Sequence, residues 1–124
     1  MAAWAKKDDQ LVVRIDRLLE SAPVVRKNFF GNMAWFHESN DQMIIAAWGS
    51  DVALRLGVET GGKLIESGQM TPFDPSGHRP KREYVMILER QHSNDEYLLD
   101  WLQIAINYGE SLPPKNKTNS WKGS

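Results

Sequence analysis

The sequence predicts an α+β fold with one antiparallel sheet of about five strands and helices packed on one face. Four strand-like segments separated by short turns fill residues 24–56, and long helical patterns stand near both ends of the chain. Short turns between successive strands favour antiparallel pairing. With a short helix and a last strand in between, the predicted order is α-β-β-β-β-α-β-α. A chain of 124 residues suits a single domain.

The first helix is predicted because apolar residues recur every three or four positions after Asp9. These residues are Leu11, Val12, Ile15, Leu18, Leu19 and Ala22. Asp8 and Asp9 suit the positive N-terminal end of a helix. Pro23 stops the helix after about four turns.

The four strand segments are predicted at residues 24–30, 33–37, 43–48 and 51–56. The third is apolar almost throughout, which predicts a central strand. The fourth alternates, with Val52, Leu54 and Leu56 on one face. We therefore predict that Trp48 and Leu54 are core residues.

A short helix is predicted at residues 58–67, and Gly61-Gly62 weakens it by about 1 kcal/mol per glycine. Residues 70–80 hold three prolines and are predicted to form a loop. The last strand is predicted at residues 83–88, where β-branched and aromatic residues return.

The last helix is predicted to begin with a capping box formed by Ser93 and Glu96. Its apolar face is predicted to consist of Leu98, Trp101, Leu102, Ala105 and Tyr108. The helix ends near Gly109, before two prolines that forbid continuation. We therefore predict a domain over residues 1–114 and a disordered polar tail over residues 115–124.

Composition narrows the classes of function. Lys and Arg number 15 and Asp and Glu 16, so binding to nucleic acid or anionic lipid would need a local patch. The absence of cysteine excludes disulfides, thiolate catalysis and cysteine zinc sites. The N-terminus lacks a signal-peptide pattern, and no apolar run reaches the ~18 residues of a membrane span. We expect a cytoplasmic protein without a membrane partner.

Several ordered stretches suggest a family. They are Arg26-Lys27-Asn28-Phe29-Phe30-Gly31, Met43 to Trp48, Asp51-Val52-Ala53-Leu54-Arg55-Leu56, Pro72-Phe73, Gly77 through Lys81, and Leu112-Pro113-Pro114. In this order they resemble the N-terminal domain of the TfoX family, named for a bacterial regulator of competence. The resemblance covers roughly residues 11–114.

The resemblance implies a compact α+β module with a fold like that of secretion chaperones, which often pair as dimers. It also implies a regulatory function, since the family includes competence regulators. The chain departs from the family pattern at Asn28, where methionine is usual, and at Gly31-Asn32, where Gly-Gly is usual.

A dense basic cluster is the first candidate site. His78, Arg79, Lys81 and Arg82 lie in a loop rich in glycine and proline, and three further cations could approach them across the sheet. The seven candidate contacts for an anion, a phosphate or a nucleic acid are Arg26, Lys27, Arg55, His78, Arg79, Lys81 and Arg82. The alternative is a solvated loop, with Arg55 paired to an acidic neighbour.

Aromatic residues give a second candidate site, because they could line a ligand pocket or stack on bases. They are Trp35, Phe36, Trp48, Phe73 and Tyr84. We favour the alternative that these side chains form the core or a dimer interface.

Catalytic, cofactor and metal sites are not expected. His37, His78 and His92 are far apart in sequence, and a zinc site needs at least three converging protein ligands. The serines lack a nucleophile-elbow pattern, and the glycines lack the spacing of a phosphate loop.

We therefore expect a non-enzymatic interaction or regulatory module that acts through protein–protein contacts as a homodimer, with an unidentified protein partner. A sheet with helices on one face leaves its other face or an edge open for such contacts. The alternative is a nucleic-acid-associated transcriptional regulator of the competence type that uses loop 78–82. A small-molecule-binding protein or an enzyme is a third possibility.

Overall fold

Residues 6–115, which are the part of the chain that the structure describes, form three α-helices and one six-stranded antiparallel sheet in a computed structural model. The helices are α1 (Asp9–Leu18), α2 (Val58–Glu66) and α3 (Asp95–Glu110). The strands are β1 (Val24–Phe29), β2 (Asn32–His37), β3 (Met43–Trp48), β4 (Asp51–Arg55), β5 (Thr71–Pro72) and β6 (Tyr84–Ile87). The predicted α+β class is confirmed.

The first four strands form a meander, and the sheet order is β1-β2-β3-β4-β6-β5. Strand β6 pairs with β4, and the two-residue β5 forms the edge beyond it. The turn between β1 and β2 has positive φ at both Phe30 (51°) and Gly31 (79°). Positive φ at both central residues is the conformation of a type I′ hairpin turn, which glycine adopts easily and phenylalanine does not.

The main core lies on the face of the sheet that the helices cover. We call it the helix-side core. Buried residues of α1 and α3 pack there against the sheet, and Leu64 and Ile65 of α2 pack at its border. Its fully buried members are Ile15, Ile44, Ile45, Ala47, Val52, Leu54, Val85, Leu98, Leu102 and Ala105.

A β-bulge places two consecutive isoleucines of β3 in this core. Trp35 pairs with Ile45 and Phe36 pairs with Met43, so Ile44 is the extra residue. Helix α3 approaches the bulge closely, because a Cβ atom on Gly109 would lie 2.3 Å from Ile44 Cγ2. The small residue at position 109 therefore sets the distance between α3 and the sheet.

The opposite face of the sheet has a smaller core of its own. Ala34, Ala46 and Ala53 lie side by side on β2, β3 and β4, and fully buried Phe73 packs with them. The ring centroids of Phe73 and Tyr84 are 5.9 Å apart. Because alanine is small, this row leaves room for a phenyl ring in close packing. The chain after β5 thus covers part of the face that the fold class leaves open.

Some element boundaries differ from the sequence prediction. Strand β5 lies inside the predicted loop, at an edge where Pro72 needs no N–H for pairing. Helix α1 ends at Leu18, about a turn before Pro23. The N-cap of α3 is Asn94, whose Oδ1 accepts the N–H of Tyr97 at 2.9 Å, so the predicted cap at Ser93 is one residue too early.

The two predicted core residues have different outcomes. Leu54 is fully buried, as predicted. Trp48 is half-buried, because it lies at the border of the smaller core, where its ring centroid is 5.8 Å from that of Phe29. The predicted tail lies outside the described residues, apart from Lys115. Within residues 6–115, no helix has the length and apolar character needed to span a membrane.

Candidate interaction surface

The predicted basic cluster lies on a loop whose backbone is fixed by hydrogen bonds. We call residues 78–82 the basic segment. The Oδ1 atom of Asp74 accepts the N–H of Arg79 at 3.2 Å. The N–H of Lys81 donates to the carbonyl of Phe73 at 2.8 Å. Because Phe73 is buried in the smaller core, its hydrogen bond with Lys81 anchors the basic segment to that face of the sheet.

The basic side chains of this segment are exposed. Within the described part of the chain, none of them makes a side-chain hydrogen bond or an ion pair; they are His78, Arg79, Lys81 and Arg82. The uncompensated charges of Arg79, Lys81 and Arg82 raise the local potential even on a chain with a formal net charge of −1. This segment is therefore an exposed patch of positive charge.

Arg26 and Lys27 are engaged elsewhere. They are consecutive in β1, so their side chains point to opposite faces of the sheet. Arg26 pairs with Asp16 of α1. Lys27 Nζ lies 2.5 Å from Asp41 Oδ1 and 4.7 Å from the centre of the Phe36 ring. Neither cation lines the groove beside the basic segment.

Arg55 does meet the basic segment. An open groove of about 530 Å³ is lined by Arg55, Val58, Lys81, Arg82, Glu83 and Tyr84. The structure thus brings three of the seven candidate residues, Arg55, Lys81 and Arg82, to one groove.

Arg55 is bound to its neighbours inside this groove. Its Nε donates to Glu83 Oε1 at 3.0 Å, and its Nη1 donates to Gln42 Oε1 at 3.0 Å. Tyr108 of α3 donates to the same Glu83 oxygen at 3.0 Å. Arg55 therefore links the sheet to α3 through Glu83, and Lys81 and Arg82 are the cations of the groove that can meet a partner.

Two titratable groups of the groove, Glu83 and Tyr84, have pKa values that lie away from neutral pH. The hydrogen bond from Arg55 lowers the pKa of Glu83 below its ordinary value. Burial raises the pKa of Tyr84 to about 12, and its hydroxyl donates to the Met43 carbonyl at 2.8 Å. A general acid or base works best with a pKa near the working pH. These pKa values and hydrogen bonds therefore favour a structural role for Glu83 and Tyr84.

A second pocket of about 360 Å³ lies at the start of α1 and contains Asp8, Arg14, Ser50 and His92. Ser50 Oγ donates to Asp8 Oδ2 at 2.7 Å, which lowers the pKa of Asp8. His92 Nε2 lies 2.8 Å from the main-chain oxygen of Ser50, and Arg14 Nη1 lies 3.0 Å from His92 Nδ1. His92 is thus not placed to accept the Ser50 hydroxyl proton, as a serine nucleophile requires.

The remaining predicted sites have mixed outcomes. Trp35, Phe73 and Tyr84 are buried, whereas Phe36 and Trp48 are half-buried.

No group of three or more histidine, aspartate or glutamate side chains among residues 6–115 is arranged to hold a metal ion.

Helix α3 presents an apolar surface that the sequence pattern did not separate from its buried face. Tyr97, Trp101, Ile104 and Tyr108 follow at intervals of four, three and four residues, so they align along one side of the helix. We call these residues the α3 stripe. Tyr97 is 37% exposed and Ile104 43% exposed, and Trp101 is half-buried against the helix-side core.

The buried face of α3 lies beside this stripe and consists of Leu98, Leu102, Ala105, Ile106 and Gly109. The sequence prediction assigned Trp101 and Tyr108 to the inner face. Both are half-buried at its border instead, because apolar residues occupy more of the circumference of α3 than the sheet covers. The spacing of residues 97, 101, 104 and 108 is the signal that identifies the second stripe.

Comparisons of the chain with protein families, with curated proteins and with solved structures give no match. The resemblance to the TfoX N-terminal domain therefore stays a prediction from the sequence.

Proposed function

We propose that this protein is a non-enzymatic interaction module that acts as a homodimer in a regulatory process. The observation that carries the proposal is the exposed part of the α3 stripe. Apolar residues that are exposed singly are ordinary on a protein surface. A contiguous apolar patch, such as a row of side chains along one side of a helix, is typical of a contact surface. The TfoX-like assignment, the regulatory role and the cytoplasmic location belong to the same proposal and rest on the sequence.

A protein partner suits the described surfaces better than a small ligand. The groove beside the basic segment is open, and Glu83 already binds Arg55 and Tyr108 at its base. Small-molecule sites are usually concave and surround most of their ligand. The α3 stripe is convex and apolar, as a helix that packs on another protein surface is.

The experiment is sedimentation of the purified chain across micromolar concentrations. We expect a species of twice the 14.2 kDa chain mass. Ile104→Asp should weaken association by more than about tenfold, because it buries a charge in the interface. The matched control is Val13→Asp on α1, which changes a residue that is 63% exposed and lies outside the stripe. A 14.2 kDa species at every concentration would refute the proposal.

The basic segment favours a second candidate function, a transcriptional regulator that associates with nucleic acid. Its uncompensated side chains are the supporting observation. Three or four phosphate contacts would give weak, salt-sensitive binding, with a slope near −0.9 per phosphate on duplex DNA.

Titration of labelled duplex and single-stranded oligonucleotides at low salt tests this candidate. The triple variant Arg79→Ala/Lys81→Ala/Arg82→Ala should lose binding. The matched control removes the same formal charge from exposed sites elsewhere, through Lys6→Ala/Lys63→Ala/Arg90→Ala. Equal loss in both variants would show a general charge effect and would exclude the basic segment as a specific site.

A further inference from the structure

At its C-terminal end, the α3 stripe is next to the start of α2 and to the basic segment. Gly57 lies against the ring of Tyr108, since a Cβ atom there would be 3.0 Å from Tyr108 Cε1. The next residue, Val58, is 51% exposed and lines the groove that contains Lys81 and Arg82. The C-terminal end of the stripe therefore adjoins the two available cations of that groove.

The other end of the stripe is acidic. Helix α3 contains no lysine or arginine, and Glu96 and Asp100 are exposed near its N-terminus. Asp100 lies three residues after Tyr97 and four before Ile104, which places it directly beside the stripe. Within the described residues, neither Glu96 nor Asp100 makes a side-chain hydrogen bond or an ion pair.

The remaining carboxylates near this surface are compensated or face away. Asp95 pairs with Arg14 and Arg17 at the α1 side, Glu83 pairs with Arg55, and Glu59 lies 3.8 Å from Lys63. Glu110 is two residues beyond Tyr108 and lies on the other side of the helix. The surface is therefore basic at one end, apolar in the middle and acidic at the other end.

The length of α3 separates the two charged ends. From Tyr97 to Tyr108 the helix rises about 16 Å, with Trp101 and Ile104 near the midpoint. A twofold axis through that midpoint places the acidic end of one copy on the basic end of the other. Parallel packing of the two helices would bring like charges together, which opposes association.

From this charge distribution we infer that the partner surface of the α3 stripe is the same surface on a second copy. The two α3 helices run antiparallel, and Lys81 and Arg82 of each copy face Glu96 and Asp100 of the other. Each dimer then contains two equivalent charged contacts around an apolar centre. This inference rests on the proposed homodimer and specifies which surface forms it.

The free edge of β1 is the competing surface for a second copy. Arg26 and Lys27 stand in the middle of that strand, and each is already paired with a carboxylate of its own chain, Asp16 and Asp41. Lysine on an edge strand is a common device against this kind of pairing. The α3 stripe has no such obstacle, because its charges are complementary under a twofold axis.

Two charge-swap variants test the inference. The acidic swap is Glu96→Lys/Asp100→Lys, and the basic swap is Lys81→Glu/Arg82→Glu. Each variant alone repels itself at both contacts, and we expect its association to weaken by about tenfold or more at low salt. An equimolar mixture restores opposite charges at both contacts, so a heterodimer should form with an affinity close to that of the wild type. Native mass spectrometry distinguishes the heterodimer from both homodimers.

The outcomes separate this inference from the proposed function. A heterodimer in the mixture supports the antiparallel arrangement. Wild-type dimers with unchanged self-association of both swap variants would overturn the arrangement and leave homodimerisation standing. A monomeric wild type would overturn both. All four substituted side chains are exposed, and circular dichroism of each variant checks that the fold is retained.

Discussion

Leu54 is fully buried in β4 and packs in the helix-side core. Leu54→Ala should lower the free energy of unfolding by about 2–5 kcal/mol, from lost burial and from the cavity that remains. The measurement is denaturant unfolding. Val13→Ala, at an exposed site of α1, is the control and should stay within about 0.5 kcal/mol of the wild type. An unchanged midpoint for Leu54→Ala would contradict the strand register.

Glu83 gives a prediction about pH. Its pKa is lowered from the ordinary 4.5, first by the hydrogen bond from Arg55. A carboxylate with a lowered pKa stabilises the fold above its ordinary pKa, and this stability is lost as the pH falls through the lowered value. Glu83→Gln should therefore lose less stability than the wild type between pH 7 and pH 3. Urea midpoints at both pH values measure this, and equal losses would refute the contribution of Glu83.

At the level of the elements, two glycines should respond in opposite ways to alanine. Gly109→Ala should destabilise the protein, because its Cβ would collide with Ile44 at 2.3 Å and force α3 away from the sheet. Gly62→Ala adds a Cβ that meets nothing within 4 Å in α2, and should stabilise the protein by up to about 1 kcal/mol through helix propensity. Thermal unfolding of both variants measures this. A stabilising Gly109→Ala would contradict the close packing of α3.

The element order was predictable because period-two alternation and short turns are strong local signals. Three features were not. Strand β5 has two residues, one of them proline, and owes its pairing to β6. The bulge at Ile44 is hidden inside a continuous apolar run. Ser93 and Asn94 are both good caps, and the path of the chain before α3 decides between them.

The candidate surfaces were less predictable than the elements. The exposure of the basic segment was predictable from its high content of glycine, proline and basic residues. The pairing of Arg55 with an acidic neighbour was one of the two alternatives that the sequence left open. Which carboxylate it meets depends on the register of β4 with β6. The α3 stripe was assigned partly to the core, because a helical pattern alone does not show how much of a helix the sheet covers.

Across the molecule, the charges are unevenly placed although the totals nearly cancel, with 15 lysine and arginine residues and 16 acidic ones. Arg26, Lys27 and Arg55 are neutralised within the chain. The basic segment and Glu96 and Asp100 of α3 are not. The proposed homodimer uses these exposed charges of both signs on either side of one apolar stripe.

The natural chain contains no cysteine, so a single introduced thiol reports one position. Ile104→Cys places it near the inferred twofold axis, and Asn28→Cys places it on the edge of β1. Treatment with a short bismaleimide should link Ile104→Cys into a covalent dimer and leave Asn28→Cys monomeric, while the wild type does not react. Cross-linking of Asn28→Cys without cross-linking of Ile104→Cys would contradict dimerisation through α3.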